Sequence, residues 1–237
     1  MGSGRARRRT GGSTLTAATG RLQVTSTTDA LVAELRGRIL SGELTPGEAL
    51  PENALASEFG VARPTVRSAL QILAGRNLLC RPHGRTATVP TLTPADARDL
   101  YFVRAPLEME VVTTIAERGL SVEHARRRLD ELESLPADAS WGDRVRAHTL
   151  FHTALVDAVE SPRLSRIYPA LQEEMQLCLA QLHSAYPGPD DLAREHRHLL
   201  DAVTSGDPAH ARTVMREHLD QAVRLFTARS AGEPGER

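Results

Sequence analysis

Arginines dominate the charge of one short segment of this sequence. Residues 61–90 contain five arginines and no aspartate or glutamate, although acidic residues are plentiful elsewhere. Arg63 and Arg67 are four residues apart, so on a helix both guanidinium groups leave the same face and can each bind a guanine edge in the major groove. One-sided positive charge is typical of a surface that contacts phosphate. The alternative is a solvated basic face on a protein–protein module.

A helix-turn-helix is predicted around these arginines. Gly60 marks the end of a short helix over residues 52–59, because glycine commonly ends helices. A second helix is expected to open at Arg63-Pro64, since the fixed φ of proline suits a first helical turn. Its expected buried face consists of four apolar residues: Val61, Val66, Leu70 and Leu73. A basic hairpin tip follows at the separation of a wing: His83, Gly84 and Arg85. Together these features predict a winged helix-turn-helix.

Histidines form a second group of residues that could do chemistry. His148 and His152 are four residues apart on an expected helix, on the same apolar face as Leu155. His196 and His218 lie on apolar stripes of two later helices, whereas His198 is turned about 200° from His196 and should face solvent. A single such histidine is usually a hydrogen-bonded core residue. Imidazoles from three helices aimed at one interior indicate a metal site, with a metal-free polar pocket as the alternative.

The second half of the chain has the pattern of a helical bundle. From Thr93 onward, glycine and proline act mainly as separators, and the apolar residues between them recur with helical spacing. Six helices are predicted, near residues 94–118, 121–133, 140–160, 163–185, 189–205 and 207–230. A bundle of this size can enclose a pocket.

Composition and charge limit the class of protein. Formal charge changes sign along the chain: +5 over residues 1–28, +1 over residues 29–92 and −7 over residues 93–237. No apolar run is long enough to span a membrane and no signal-peptide core is present, so we expect a cytoplasmic protein. Cys80 and Cys178 lie on apolar stretches and are expected to be buried free thiols. Residues 1–26 are expected to form a disordered basic tail.

The predicted DNA-reading part of the chain contains a motif that extends over about its whole length. Its members are Ile39, Gly42, Leu44, Pro46-Gly47, Leu50, Leu55-Ala56, Gly60-Val61, Arg63, Val66-Arg67 and Ala69-Leu70. This pattern resembles the N-terminal domain of the GntR family of bacterial transcription regulators. The resemblance implies that three positions contact operator bases and phosphates: Arg63, Thr65 and Arg67. It also implies that three wing positions enter the minor groove: His83, Gly84 and Arg85.

Two residues depart from the GntR pattern. Asn53 occupies a position that is often arginine, so a further base or phosphate contact is altered. Ala62 replaces the usual serine or threonine, which removes a helix N-cap worth about 1 kcal/mol and a phosphate contact. We therefore expect the operator to differ from the usual operator of the family.

A second set of motifs runs in order down the helical half. They are Leu100-Tyr101 with Val103-Arg104, Leu107-Glu108, Phe151-His152 with Leu155, Glu195-His196 with Leu200 and Ala202, Gly206-Asp207 with Ala211, and His218-Leu219. The pattern resembles the FCD domain of FadR-like GntR regulators. The resemblance implies that His152, His196 and His218 supply three metal ligands. An aspartate four residues before the first supplies the fourth in that family, and here this position is His148.

The His148 replacement has two chemical consequences. Imidazole in place of carboxylate favours Zn²⁺, Ni²⁺ or Cu²⁺ over Mg²⁺, Ca²⁺ and Mn²⁺, and we expect Zn²⁺ or Ni²⁺. The site also becomes one unit more positive, which favours an anionic effector, expected to be a small organic acid. Arg104, four residues before Glu108, either forms a structural ion pair with it, of little energetic weight if exposed, or binds a carboxylate of that effector.

These observations predict a mainly α protein with a winged helix-turn-helix over residues 27–92 and an all-α bundle of six to seven helices over residues 93–232. The expected function is an effector-responsive regulator, a repressor and not an enzyme, that binds a palindromic operator as a homodimer. One alternative is a metal-dependent hydrolase, against which we find no HExxH element and no carboxylate placed beside the metal-ligand histidines to act as general base. Another is an architectural DNA-binding dimer without an effector.

Overall fold

The computed structural model describes residues 26–82, 85–181 and 189–232. Three expectations fall on residues outside these ranges: the basic tail up to residue 25, the wing tip His83-Gly84, and the end of the helix predicted to reach residue 185. Within the described residues the protein is mainly helical, with one small two-stranded sheet, as predicted.

The N-terminal part contains three helices and the sheet. In chain order these are α1 (Thr27–Ser41), β1 (Ala49–Leu50), α2 (Glu52–Phe59), α3 (Arg63–Ala74) and β2 (Ala87–Thr88). The strands are antiparallel, with Ala49 opposite Thr88 and Leu50 opposite Ala87. Cys80 forms a further antiparallel bridge to Thr88. The two ends of the segment from residue 80 to residue 88 are therefore paired at the base of the wing.

The turn between α2 and α3 has the predicted punctuation. Gly60 ends α2 in the left-handed region, at φ 62°, where glycine has no Cβ penalty. Ala62 is the N-cap of α3 and makes no side-chain cap hydrogen bond, because a methyl group cannot accept one. Val66, Leu70 and Leu73 are all fully buried, which confirms the predicted inner face of α3.

The C-terminal part is a bundle, and all six predicted helices are present among the described residues. They are α4 (Pro94–Arg118), α5 (Glu123–Glu133), α6 (Trp141–Ala158), α7 (Leu164–Ala180), α8 (Pro189–Thr204) and α9 (Pro208–Gly232). A reciprocal capping box between Thr93 and Asp96 opens α4, and Gly119 closes it. The long helices α4 and α9 pack along each other, while α5 packs on α6 and α6 on α7.

Helix α7 belongs to both parts of the molecule. Its residues Met175, Cys178 and Leu179 lie in the bundle core, whereas Leu177, 2% exposed, packs into the core of the N-terminal part. Neighbouring apolar side chains of one helix therefore enter two different cores. Because core packing is dense, a shift of α7 must disturb both.

Polar contacts tie the same helix to the N-terminal part. Arg36 Nε on α1 donates to Glu173 Oε1 at 2.8 Å. Asn77 Nδ2, just after α3, donates to Glu174 Oε1 at 3.0 Å. The amide of Gln181, at the end of α7, accepts from the Leu92 backbone N–H at 3.1 Å and donates to the Pro90 carbonyl at 3.0 Å. These last two contacts hold the linker between the parts against α7.

The cysteine prediction is half wrong. Both described thiols are free, and burial raises the pKa of the Cys178 thiol to about 12. Cys80, however, is exposed, because Leu78 and Leu79 fill the core before it and the chain then leaves for the wing. Separately, none of the described helices has the length and apolar character needed to cross a bilayer.

Candidate metal centre and nucleic-acid interface

Four histidines from three helices meet inside the bundle. His148 and His152 come from α6, His196 from α8 and His218 from α9. One potential ligand nitrogen of each lies within 4.8 Å of the others. His148, His152 and His196 are buried and His218 is half-buried, whereas His198 is exposed, as helix geometry predicted. The structure thus brings together all four residues singled out from the sequence.

Neighbouring oxygen atoms orient two of these rings, one through a hydrogen bond and one through a close charge contact. His196 Nδ1 lies 2.6 Å from the Leu192 carbonyl oxygen, which can only accept, so this nitrogen carries the hydrogen. His152 Nδ1 lies 3.1 Å from Glu108 Oε2, and a carboxylate at that distance favours a hydrogen on this nitrogen. Both Nε2 atoms are left pointing at each other, 3.0 Å apart. If neither carries a hydrogen, their lone pairs repel at that distance, and a metal ion held between them would relieve the repulsion.

The other two rings favour the metal ion. Among the described residues, His148 Nδ1 and His218 Nδ1 are buried without a hydrogen-bond partner. An unsatisfied buried polar atom costs about 1–3 kcal/mol, and an ion is one standard explanation for it. Four imidazole nitrogens form a donor set that a tetrahedral ion such as Zn²⁺ accepts. The four histidines can therefore hold a metal of this type.

The environment keeps these imidazoles neutral, which is the form that binds metal. Burial first, and then the neighbouring imidazole of His196, lower the pKa of both His148 and His218 well below the usual value. Burial and the His152 ring lower the pKa of His196 to about 3. At neutral pH the proton therefore does not compete for these three rings.

A buried polar network lies behind His152 and was not predicted. Tyr168 Oη donates to Glu108 Oε1 at 2.9 Å, and Gln172 Nε2 donates to Tyr168 Oη at 2.8 Å. Glu108 is also ion-paired with Arg104. The sequence contains no periodic signal for this network, since its members come from α4, α6 and α7. It connects the histidine centre to α7.

The charges of this network bear on two sequence expectations. The structural ion pair between Arg104 and Glu108 is present, and it is buried, since each residue is 1% exposed. Burial by itself would raise the pKa of Glu108, but the Arg104 guanidinium and then His152 outweigh it and lower the pKa to about 2. The Glu108 carboxylate lies beside a metal-site histidine, but it faces Nδ1 rather than the centre. With its lowered pKa and this position, it is not placed to act as a general base.

Arg104 itself has hydrogen-bonding capacity to spare. Burial would lower the pKa of this guanidinium, but Glu108 outweighs burial and raises it, so the group stays charged. Its Nε is buried without a hydrogen-bond partner among the described residues. The ion pair and a ligand-binding role are therefore compatible for Arg104.

A cleft leads from solvent to the histidine centre. It has a volume of about 490 Å³ and lies between α8 and α9. His218 forms part of its wall, together with Glu195, His198, Val214, Glu217, Gln221 and Arg224. Burial raises the pKa of Glu195. Pockets of about 300–1,000 Å³ are typical for small ligands, so this cleft has room for one.

The residues predicted to contact DNA cluster on the surface of the N-terminal part. Asn53, Arg63, Arg67 and Arg85 are exposed and Thr65 is half-buried, while His83 and Gly84 lie outside the described residues. Arg63 and Arg67 occupy the first turns of α3, as predicted. Arg76 is another of the five arginines in residues 61–90. It lies beside α7 instead, with Nη1 3.6 Å from Glu173 Oε1.

One acidic residue in this surface was missed. Glu52, on the first turn of α2, accepts hydrogen bonds from Arg67 and from Arg81. From the sequence alone, Glu52 is explained by its favourable position at a helix N-terminus. Its pairing with arginines 15 and 29 residues away depends on how α2, α3 and the wing pack.

Comparison with known proteins decides the family. Residues 27–89 match the gntR family of bacterial regulatory proteins, and residues 99–221, more than half of the chain, match the FCD domain. The protein is a member of the GntR family. It belongs to the FCD branch, as the resemblance of both halves implied.

The relatives of this GntR protein are transcription regulators. It is 32% identical over 185 residues to the probable D-xylose utilization operon transcriptional repressor of Paenarthrobacter nicotinovorans, covering 76% of this chain and 80% of that protein. It is 32% identical over 203 residues to the regulator Mce2R of Mycobacterium tuberculosis, covering 78% and 85%. The family and these relatives identify a DNA-binding transcription regulator and not an enzyme, so the hydrolase alternative is dropped.

Solved structures share the fold. A putative GntR transcriptional regulator from Rhodococcus sp. RHA1 has a TM-score of 0.76 at 24% identity, covering 85% of this chain and 97% of that chain. E. coli McbR/YncC has a TM-score of 0.69 at 23% identity, covering 86% and 99%. At this level of identity the likeness supports the arrangement of helices and nothing finer.

Proposed function

We propose that this GntR regulator represses transcription by binding a palindromic operator as a homodimer, and that a small organic acid bound at a metal in the bundle controls that binding. The observation that carries the proposal is the position of α7. Tyr168 and Gln172 of α7 contact the polar network behind the histidines. Glu173 and Leu177 of the same helix contact the DNA-reading part.

The DNA contacts follow from the exposed face of α3 and from the wing. Arg63 and Arg67 bind guanine edges in the major groove, and Thr65 binds phosphate. The wing enters the minor groove through His83, Gly84 and Arg85. Asn53 on α2 contacts the flank of the half-site, at a position where the GntR pattern often has arginine.

The metal site consists of His148, His152, His196 and His218, with Zn²⁺ or Ni²⁺ as the resident ion. Such an ion, when bound, supplies a positive centre to which an anionic ligand can coordinate. Four neutral imidazoles leave the +2 charge of the ion uncompensated within the coordination shell, and this favours a carboxylate effector. The effector enters by the cleft beside His218, and the spare hydrogen-bonding capacity of Arg104 binds its carboxylate.

Coupling between the two parts requires that the effector stabilise one position of α7 over another. Glu108 holds His152 on one side and Tyr168 on the other, so a change at the centre is transmitted to α7. The same helix packs Leu177 into the core of the DNA-reading part. A shift along α7 therefore changes the position of the reading head and the spacing between the two heads of a dimer.

The oligomeric part of the proposal has a direct test. One winged helix-turn-helix reads a half-site, so a stable complex with a palindrome needs two chains related by two-fold symmetry. We expect full-length protein to select palindromic duplexes from a randomised library and to sediment as a dimer both free and on the selected duplex. A monomer bound to a single half-site would contradict this.

The coupling role of α7 makes a second prediction. Leu177→Ala and Glu173→Gln should reduce the change in operator affinity that metal removal causes, because both loosen α7 from the reading head. A coupling free energy of about 1–3 kcal/mol corresponds to roughly a 5- to 150-fold change in the wild type. Operator affinity should be measured on the selected duplex with Zn²⁺ added and after chelation.

Two checks make the α7 test specific. Metal content of both variants should equal that of the wild type, since neither residue touches the histidines. Arg166→Gln, an exposed position on the same helix, should retain the full response. If all three variants respond to metal removal as the wild type does, the signal does not pass through this contact of α7.

A further inference from the structure

Three elements of the DNA-reading part converge on one carboxylate. Glu52 lies at the start of α2, Arg67 projects from α3, and Arg81 follows the bridge residue Cys80 at the base of the wing. Glu52 Oε1 accepts a hydrogen bond from Arg81 Nη2 at 2.6 Å. Arg81 Nη1 also donates to the backbone carbonyl of Arg67 at 3.3 Å. The contacts therefore form a closed set that spans the helix-turn-helix and the base of the wing.

The contact between Glu52 and Arg67 uses one particular edge of the guanidinium. Arg67 Nε lies 3.2 Å from both carboxylate oxygens, and Nη2 donates to Oε2 at 2.9 Å. A guanidinium has five N–H groups. The side edge formed by Nε and Nη2 is engaged by Glu52, whereas the terminal edge formed by Nη1 and Nη2 remains open. That terminal edge can still make the paired hydrogen bonds that a guanine offers through O6 and N7.

The exposure and charges of these three side chains indicate that the Arg67 guanidinium is a fixed rather than a mobile hydrogen-bond donor. The Glu52 and Arg81 side chains are each 20% exposed, whereas the Arg67 side chain is 51% exposed. Thus the carboxylate and its second arginine are largely enclosed, and the base-reading arginine projects from them. The hydrogen bond from Arg67, more than the nearby charges, lowers the pKa of Glu52, which stays ionised. Two guanidinium groups around one carboxylate leave the surface with net positive charge towards DNA.

We propose that Glu52 is a positioning residue for base recognition, which orients the Arg67 guanidinium so that its terminal edge meets the operator. This inference rests on the proposed contact between Arg67 and a base. An untethered arginine side chain loses rotamer freedom when it binds, and a planar fork that is held in advance loses less. Holding the side edge also restricts which base edge the fork can meet. Glu52 therefore acts on discrimination between bases more than on overall attraction to DNA.

The opposite role would be competition, in which Glu52 occupies Arg67 and must release it before DNA can bind. The two roles predict opposite effects of Glu52→Gln, which keeps the size of the side chain and removes its charge. Positioning predicts that the variant loses preference at the same base position in each half-site that Arg67→Ala relaxes. That loss should be several-fold and should not exceed the Arg67→Ala value of roughly 5- to 150-fold. Affinity for a scrambled duplex should stay level or rise, since an acid has left a phosphate-facing surface.

The experiment uses full-length dimeric protein and a duplex selected by that protein from a randomised library. Affinities for the selected duplex, for its single-base variants and for a scrambled duplex are measured at several salt concentrations. Glu58→Gln is the matched control, because Glu58 is also on α2 and ion-paired, but to Arg38 on α1. This control should leave base preference unchanged. In the Arg67→Ala background, Glu52→Gln should cause no further loss of preference.

Each result is decisive. Tighter operator binding by Glu52→Gln with unchanged base preference would establish competition and overturn the proposal. An equal loss on operator and scrambled duplex, accompanied by a lower melting temperature, would assign Glu52 a structural role and also overturn it. Unchanged preference in Glu52→Gln, with relaxed preference in Arg67→Ala, would reject only the positioning role. Unchanged preference in Arg67→Ala would reject the base contact itself.

Discussion

Chelation should lower the melting temperature of this regulator by roughly 5–10 °C. The reason is mass action, since a ligand that binds only the folded state at about 100 times its Kd stabilises by about 2.7 kcal/mol, and 1 kcal/mol corresponds to about 2–4 °C for a chain of this size. The cluster could hold such a ligand, since it has two Nε2 atoms 3.0 Å apart and two further ring nitrogens without partners among the described residues. Calorimetry before and after chelation measures the shift.

Substitutions identify the ligands. His218→Ala should lose the metal, measured by elemental analysis, and should fold, because His218 is only half-buried. His148→Asp should retain metal and also accept the harder Mn²⁺, since it restores a carboxylate. His198→Ala is the matched control, because His198 lies on α8 two residues from His196 and is exposed. Wild-type protein that contains no metal and shows no chelator effect would leave the four histidines as the polar lining of a cavity.

Arg67→Ala should weaken operator binding by about 1–3 kcal/mol and relax base preference at one position in each half-site. Arg67 is exposed on α3, and its contact with Glu52 uses Nε and Nη2, so its terminal edge is available for a guanine contact. A phosphate contact would instead weaken binding to all sequences alike and reduce its salt dependence. Affinity on the selected duplex, its single-base variants and a scrambled duplex separates these two roles.

Arg85→Ala is the contrasting variant for this test. Arg85 is exposed beside the wing tip, so its loss should weaken binding while leaving the preference set in the major groove largely intact. Identical base preferences in Arg67→Ala and the wild type would show that α3 does not present Arg67 to a base edge. Whether an effector raises or lowers the affinity for the operator can be measured separately on the same duplexes.

Much of the fold could be predicted from the sequence because its signals are local. Glycine and proline punctuation located α2 and α3 at their observed ends, since these residues act on the backbone at the position where they occur. The apolar period of the bundle located its six described helices to within a few residues. The same period correctly separated inward His196 from outward His198, because the face of a helix follows from its pitch.

Other features depend on which faces meet, and helical periodicity contains no information about that. The Glu108, Tyr168 and Gln172 network joins α4 to α7 across 60 residues of sequence. Likewise, Arg76 was counted among the arginines of the basic segment but lies beside Glu173 of α7, and Cys80 was expected in the core but is exposed at the base of the wing. In each case a long-range contact, rather than a local preference, decided the environment of the side chain.

The sequence by itself therefore determined the helices, the DNA-reading motif, the inward histidines and the family. Only the tertiary structure decided that the four ring nitrogens converge within 4.8 Å, that Glu52 holds Arg67, and that Leu177 of α7 enters the core of the reading head. The physical reason is that backbone pitch sets the direction of a side chain relative to its own helix. Distances between side chains on different helices depend on how those helices pack, and packing is a property of the whole chain.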